Sequence, residues 1–258
     1  MPENFADRFT GRAAVYSKYR PSYPDAILKI LRSDIGFDQD KVVADIGSGT
    51  GLLSRLFLEN GNKVFGVEPN DEMRSFAEES LSKFPNFVSV RGSAEQTTLE
   101  GGSIDLVAVG QALHWFDRQG AKREFARIVR KGGHACIVYN DRTSDDAFMQ
   151  AYESIISKHA RDRGSVPEVD DSYLSGLFRN GNYGKFSLRN EQFLDFEGLL
   201  GRIMSASYMP DASDRERFEA LRVGVSRLYR TYEKKGQVRM LYDTVIFLGE
   251  LRGLGSLV

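Results

Sequence analysis

The chain has 258 residues, 41% of them hydrophobic and 28% charged, with a formal net charge of −1. These proportions suit a globular chain with ample material for a core, and near-neutrality supplies no global basic field to hold nucleic acid or an anionic membrane surface. The single cysteine, Cys136, excludes an intramolecular disulfide framework and a thiolate zinc site, and within HACIVY it reads as an inert buried thiol.

The N-terminal MPENFADRFTGR lacks the apolar centre of a signal peptide. No apolar run nears the roughly 20 residues needed to span a bilayer, so a reducing cytoplasm is the expected location. Residues 21–33 predict a helix ahead of the first strand. KVVADI (41–46), KVFGVE (63–68), FVSVRG (87–92), IDLVAVG (104–110) and HACIVYN (134–140) read as buried strands rich in Val and Ile. LLSRLFLEN, NDEMRSFAEESLSKF and DRQGAKREFARIVRKGG carry apolar residues at helical spacing, with helix stops expected at Asn60-Gly61 and Gly132-Gly133. Strands alternating with helices predict a parallel sheet covered on both faces. Downstream, helices are expected over 144–163, 172–180, 196–207 and 214–235, and strands over 185–194 and 237–251. A single domain over 1–258 is expected. Its core is 34–140 with strands at 183–194 and 237–251; segments 1–24, 141–182 and 195–236 form a lid near the C-terminal end of the sheet, where open α/β sheets bind ligands.

The most informative stretch is VVADIGSGTG at 42–51. Gly47, Gly49 and Gly51 alternate with Ser48 and Thr50 after an apolar strand, so a ligand can approach the backbone closely. A dinucleotide loop would offer backbone N–H groups and a helix start to a pyrophosphate. Asp45 would repel that phosphate, and Gly-x-Gly-x-Gly is one residue shorter than the dinucleotide fingerprint. A bare structural turn is a second reading. The third, which the residues favour, is a ligand carrying positive charge and no phosphate. S-adenosylmethionine has an ammonium and a sulfonium, and Asp45 favours such charges directly or through water. Glu68, at the end of the second strand, is placed to accept both ribose hydroxyls, unless it is only a surface acid at a strand end. Pro69 and Asn70 turn into the next helix and bring Asn70 and Met73 beside the adenosine. Ala94 and Glu95 follow the third strand, where they could line the adenine edge; Glu95 reads equally as a helix-start acid.

VVADIGSGTG, GVEPNDEM, GSAEQTTL and IDLVAVGQALHWFD, in this order and spacing, resemble the class I S-adenosylmethionine-dependent methyltransferases. Within them the chain is similar to the methyltransferase type 11 group that includes trans-aconitate methyltransferase-like enzymes; FADRFTGRAAVYSKYRPSYP and SASYMP (205–210) resemble features of that subgroup. The resemblance implies an α/β fold, a Rossmann-like doubly wound seven-stranded sheet with a reversed last strand and helical lid insertions. It also implies S-adenosyl-L-methionine as cofactor, S-adenosyl-L-homocysteine as product, and transfer of a methyl group to an O, N or C atom of a small-molecule acceptor. An RNA or protein methyltransferase is the alternative enzyme. Neutral charge and GQALHW, in place of an NPPY- or DPPY-like stretch after the fourth strand, speak against it. A non-catalytic cofactor-binding module is a further alternative.

Gln111, Ala112, His114 and Trp115 follow the fourth strand and are expected near the reacting methyl group. His114 could deprotonate an acceptor or only shape the pocket, since orientation supplies much of the rate when the acceptor is already ionised. Trp115 could stack near the cofactor or wedge a helix start. Tyr16 and Tyr19 could attract a sulfonium through their ring faces, and Arg20 could pair with the cofactor carboxylate; packing onto the sheet is the alternative for the tyrosines. The resemblance implies that this segment closes over the cofactor, with Arg8 a weaker candidate of the same kind. Ser205, Ser207 and Tyr208 are candidate acceptor contacts, although Ser-rich turns look the same. His134 and His159 show no partner spacing, and no metal site is expected.

Overall fold

The computed structural model describes residues 13–160, 169–206, 208–210 and 214–252, so Arg8 and Ser207 lie outside the described residues. The strands are β1 (Val42–Ile46), β2 (Lys63–Val67), β3 (Phe87–Val90), β4 (Ile104–Gly110), β5 (Val129–Arg142), β6 (Gly184–Leu194) and β7 (Val238–Glu250). They form one seven-stranded sheet in the order β3-β2-β1-β4-β5-β7-β6. The first five are mutually parallel, and β7 runs antiparallel to both β5 and β6. The reversed last strand is therefore present. Chain direction across the sheet changes sides between β1 and β4, which opens a crevice at their C-terminal ends.

The helices are α1 (Ala13–Tyr19), α2 (Ala26–Ile35), α3 (Leu52–Glu59), α4 (Asp71–Ser80), α5 (Arg118–Ile128), α6 (Ala147–His159), α7 (Asp171–Leu177), α8 (Phe196–Met204) and α9 (Arg215–Tyr232). Successive strand side chains point to opposite faces, and the core divides accordingly. Val43, Leu106 and Val138 pack with Ile27, Leu31 and Phe57 from α2 and α3. Ala44, Val107 and Ile137 pack with Phe125 of α5 and Leu174 of α7 on the other face. A third cluster joins α6, α8 and α9 to Leu194, Met240 and Tyr242 on β6 and β7. No helix among the described residues is long and apolar enough to cross a membrane.

Three local expectations need correction. The helix expected over 21–33 starts at Ala26, because Pro21 and Pro24 offer no N–H and the Pro24 carbonyl accepts the first turn from Ile27; α1 ahead of it was not foreseen. The Gly132-Gly133 pair does not stop a helix: α5 ends at Ile128. Gly102 and Ser103 donate to the carbonyls of Arg127 and Ile128 and draw Val129 into pairing with Ile104. Gly132, at φ 78°, is instead a bend where the β4–β5 register shifts. The fifth strand is thereby longer than 134–140, and its far end carries Asp141 and Arg142.

The Asn60-Gly61 stop is present. Gly61 N–H donates to Leu58 O and Asn62 N–H to Phe57 O, the paired closure of a Schellman motif. Asn62 is fully buried, and its amide donates to Asp38 O and Lys41 O, both at 2.8 Å. It thus fixes the entry into β1. Asn62→Ala leaves two carbonyls short of a donor, and a loss of about 1–3 kcal/mol is expected. The readout is a lower urea midpoint with an unchanged slope.

Candidate active site

The glycine loop lies where β1 gives way to α3. Gly47 and Ser48 both donate to Val67 O at 2.9 and 3.1 Å, and Gly51 donates to Ser48 O at 2.9 Å. Gly49 donates to Glu68 Oε2 at 2.9 Å. Four loop amides are therefore satisfied within the protein, and they do not converge on a phosphate. Gly51 has φ 81°, and a Cβ there would stand 2.5 Å from Leu81 Cδ1; one on Gly49 would meet nothing within 4 Å. The loop is closed on its packed side and open above Gly49.

Asp45 sits beneath this loop and is 1% exposed. Its Oδ2 accepts from Ser54 Oγ at 2.6 Å, while Oδ1 is buried with no partner, as is Thr50 Oγ1. Burial pushes the Asp45 carboxyl up to about 7, against the lowering effect of Ser54. Glu68, 8% exposed, accepts from Gly49 N–H through one oxygen and from Asn70 N–H at 2.9 Å through the other. Burial raises its pKa, and the two amides pull it back. Each Glu68 oxygen keeps a lone pair for a further donor.

The loop after β4 abuts the glycine loop, since a Cβ on Gly47 would stand 2.8 Å from Ala112 Cβ. Beyond it opens a cavity of about 490 Å³. Tyr16, Gln111, His114, Trp115 and Tyr208 line it, together with Arg20, Arg142 and Arg202. Gln111 adopts φ 57° and donates through Nε2 to Asn140 O at 3.2 Å. His114 is half-buried against Trp115, with ring centres 4.6 Å apart. Burial and then Arg20 lower its pKa to about 4, so it is a neutral, weakly basic imidazole at pH 7. The Arg20 guanidinium lies 4.6 Å from the Tyr16 ring centre, and its Nη2 donates to Ser205 O at 3.0 Å.

Several expected contacts lie elsewhere. Tyr19 packs on α8, where a Cβ on Gly201 would fall 2.3 Å from its ring; packing is thus its role, and it is not among the cavity residues. Ser205 is fully buried, with Oγ donating to Arg202 O at 2.7 Å, so it supports the cavity arginines from behind and does not face a ligand. Asn70 caps α4, accepting from Met73 N–H at 2.9 Å, and Met73 and Ala94 are core residues. Glu95 accepts from Asp117 N–H at 2.8 Å at the start of α5, which is its helix-start role. Pro69 is exposed between Glu68 and Asn70.

Four residues at the site were missed. Tyr23 holds its hydroxyl over Gly110, where a Cβ would come within 2.6 Å of it. Asn140 accepts from Thr244 Oγ1 at 2.6 Å, and its amide donates to Ser22 O at 3.5 Å. Arg142 stands at the C-terminal end of β5, the position where ligands of such sheets bind, and that signal could have found it. Arg202 is the one basic residue of FEGLLGRIM, an apolar helix in which a lone cation is conspicuous.

Residues 44–137 match a family described as the methyltransferase domain. A Geobacillus thermodenitrificans protein described as an uncharacterized methyltransferase is 31% identical over 203 residues, covering 71% of this chain and 90% of that protein. A Mycobacterium tuberculosis protein of the same description is 34% identical over 163 residues, and the match spans 62% of this chain and 64% of the relative's length. Among solved structures, a candidate type II methyltransferase from Anaeromyxobacter dehalogenans superposes with a TM-score of 0.68 at 20% identity, covering 91% of this chain and 99% of that one.

The buried Asp45 makes stability depend on pH. Its folded pKa near 7 exceeds an unfolded value of about 4, so both states hold the proton below about pH 4. Between about 4 and 7 only the native state keeps it, so this group's contribution to stability is lost as pH rises through that window. In Asp45→Asn that loss is absent. The unfolding free energy of the variant relative to the parent protein should rise by about 4 kcal/mol between pH 4 and pH 8, measured by urea unfolding at each pH; a constant difference would show Asp45 titrating in the ordinary range.

Proposed function

The chain belongs to the methyltransferase domain family, and from that premise we propose that it transfers the methyl group of S-adenosylmethionine to a small-molecule acceptor. The observation that carries this reading is the glycine loop, whose amides are engaged internally above a buried acid with one unpartnered oxygen. Such a loop suits a cation and not a phosphate. When bound, S-adenosylmethionine supplies a methyl group activated by a sulfonium.

The residues present fit that group. Asp45 Oδ1 and Thr50 Oγ1, buried without partners, would meet the ammonium or a water on it. The free lone pairs of Glu68 would take ribose hydroxyls, and open space above Gly49 would admit the ligand against the backbone. Gln111 and Ala112 border the methionine end, and Arg20 would take its carboxylate. The cavity beyond, partly roofed by α1 and α8, would receive the acceptor and exclude water from it. Its volume, about 490 Å³, suits a small molecule and not a macromolecular chain. Tyr16 and Trp115 present ring faces there, and Tyr208 a hydroxyl. His114, with its pKa near 4, shapes the wall and orients the acceptor; it is too weak a base to set the pace at neutral pH. A reducing cytoplasmic setting belongs to the same reading, supported by the lone thiol of Cys136, buried in β5 and pushed up to about 12.

Asp45→Ala and Glu68→Ala should each weaken S-adenosylhomocysteine binding about ten- to a hundredfold, the equivalent of a lost charged hydrogen bond at about 1.5–3 kcal/mol. Titration calorimetry on folded variants reads this directly, and unchanged affinity would sink the cofactor geometry. With an acceptor in hand, His114→Gln should keep most of the turnover, and the pH–rate profile should lack a step near 6.5 that vanishes in the variant. A drop of about a hundredfold or more would restore His114 as a general base.

A further inference from the structure

We infer that the protein forms a two-fold symmetric dimer in which β6 pairs antiparallel with β6 of a second copy, centred on Asn190. The sheet has two edges, β3 and β6. The first is protected by its shortness, four residues from Phe87 to Val90. The second runs for 11 residues without a proline, and its register with β7 is unbroken. Backbone groups along an unpartnered strand of that length invite another strand. Their direction follows from the neighbouring pairing. Thr143 N–H donates to Leu241 O at 3.2 Å and Leu251 N–H to Gly133 O at 2.9 Å, so odd-numbered residues of β7 turn toward β5 and even-numbered ones toward β6. The residues opposite them on β6 are even-numbered as well, such as Asn190 against Tyr242. Odd-numbered residues from Lys185 to Phe193 therefore point N–H and C=O outward. Among the described residues no hydrogen bond reaches those groups.

The side chains of these same residues lie on the exposed face of β6, and their charges complement a second copy. Outward-pointing residues must pair odd with odd, so the symmetry axis passes level with a residue and not between two. With Asn190 on the axis, Arg189 stands opposite the partner's Glu191, and Lys185 opposite the partner's Asp195 just past the strand end. Centring on Arg189 or Glu191 sets like charges face to face, which is destabilising. Centring on Leu188 or Gln192 leaves Arg189 or Glu191 without an opposite charge. Charges that guard an edge against strangers thus select one register with a second copy. Arg189 already meets Asp145 and Asp243, and Glu191 meets Arg239, yet their side chains stay 68% and 51% exposed and can answer the partner. Phe193, itself 55% exposed, falls opposite the partner's Ser187 and covers the aliphatic stems diagonal to it. An interface of this kind is self-complementary, as two-fold symmetry requires. It also touches the site from outside, because Asn190 and Gln192 donate to Ser22 O and Tyr19 O at 2.9 and 3.1 Å. The strand that ties down that segment becomes internal to one sheet spanning both copies.

The test uses the full chain and needs neither cofactor nor acceptor. Sedimentation over a range of concentrations should give twice the single-chain mass, with dissociation on dilution. Ser187→Pro deletes an outward N–H and no bond to β7, at a position where edge strands tolerate proline. It should weaken association tenfold or more while circular dichroism shows the fold retained. Asn190→Cys places two thiols opposite each other at a Cα separation of about 4.5 Å, within disulfide reach, so mild oxidation should trap a covalent dimer. Gln192→Cys, facing the partner's Leu188, should not be trapped, and the native Cys136 is buried out of reach. A monomer at every concentration would overturn the inference. So would a dimer that Ser187→Pro leaves intact, or one that Asn190→Cys traps no better than Gln192→Cys, since its contact then lies on another face or in another register.

Discussion

The Glu68 carboxylate ties together the two loops that frame the cleft. One oxygen accepts the Gly49 amide and the other the Asn70 amide, so the turn after β1 and the turn after β2 are held in one arrangement by a single buried side chain. Hydrogen bonds to an ionised acceptor are stronger than neutral ones, and here they stand in for water that burial has removed. The consequences reach outward. Asn70, fixed by this contact, caps α4. The far end of α4 then brings Leu81 against Gly51. The glycine loop is thereby braced at both ends of the same helix, and its free face can stay open without collapsing.

Charge is divided across the cleft. Beneath the loop lie two buried acids, Asp45 and Glu68; across the cavity lie the guanidinium groups of Arg20, Arg142 and Arg202. Neither set neutralises the other, for no ion pair joins them among the described residues. A field of this kind favours a ligand whose own ends differ in charge and fixes which end enters first. It costs the empty protein stability, which the cores on both faces of the sheet offset.

The parallel half of the sheet was legible because its strands are continuous apolar runs and its helices are regularly amphipathic; both signals are local. The glycine loop was legible for the same reason, as Asp45, the three glycines and Glu68 sit within one strand–helix–strand unit. Local signals failed where a residue's role depends on a distant partner. Tyr19 reads as a site aromatic until α8 supplies Gly201 for it to rest on. Ser205 reads as a free hydroxyl until Arg202, one helical turn earlier, occupies it. Glu95 finds its donor in Asp117, beyond β4. The basic wall was illegible as a whole, since its three members come from parts of the chain that only the folded sheet brings together. Gly132-Gly133 misled for the opposite reason: a strong local signal was overridden by pairing between Val129 and Ile104.

The segment from α1 to Pro24 is tied to residues far along the chain. Ser22 O and Tyr19 O accept from the amides of Asn190 and Gln192 on β6, and Arg20 reaches Ser205, 185 positions away. During synthesis α1 can therefore meet α4, whose Glu72 accepts the Ala13 N–H, well before its partners on β6 and α8 have left the ribosome. At roughly 5–20 residues per second, that is an interval of about 10–40 seconds. Through that time the cavity lacks Arg202 and Tyr208, and its wall is complete only when the last third of the chain has arrived.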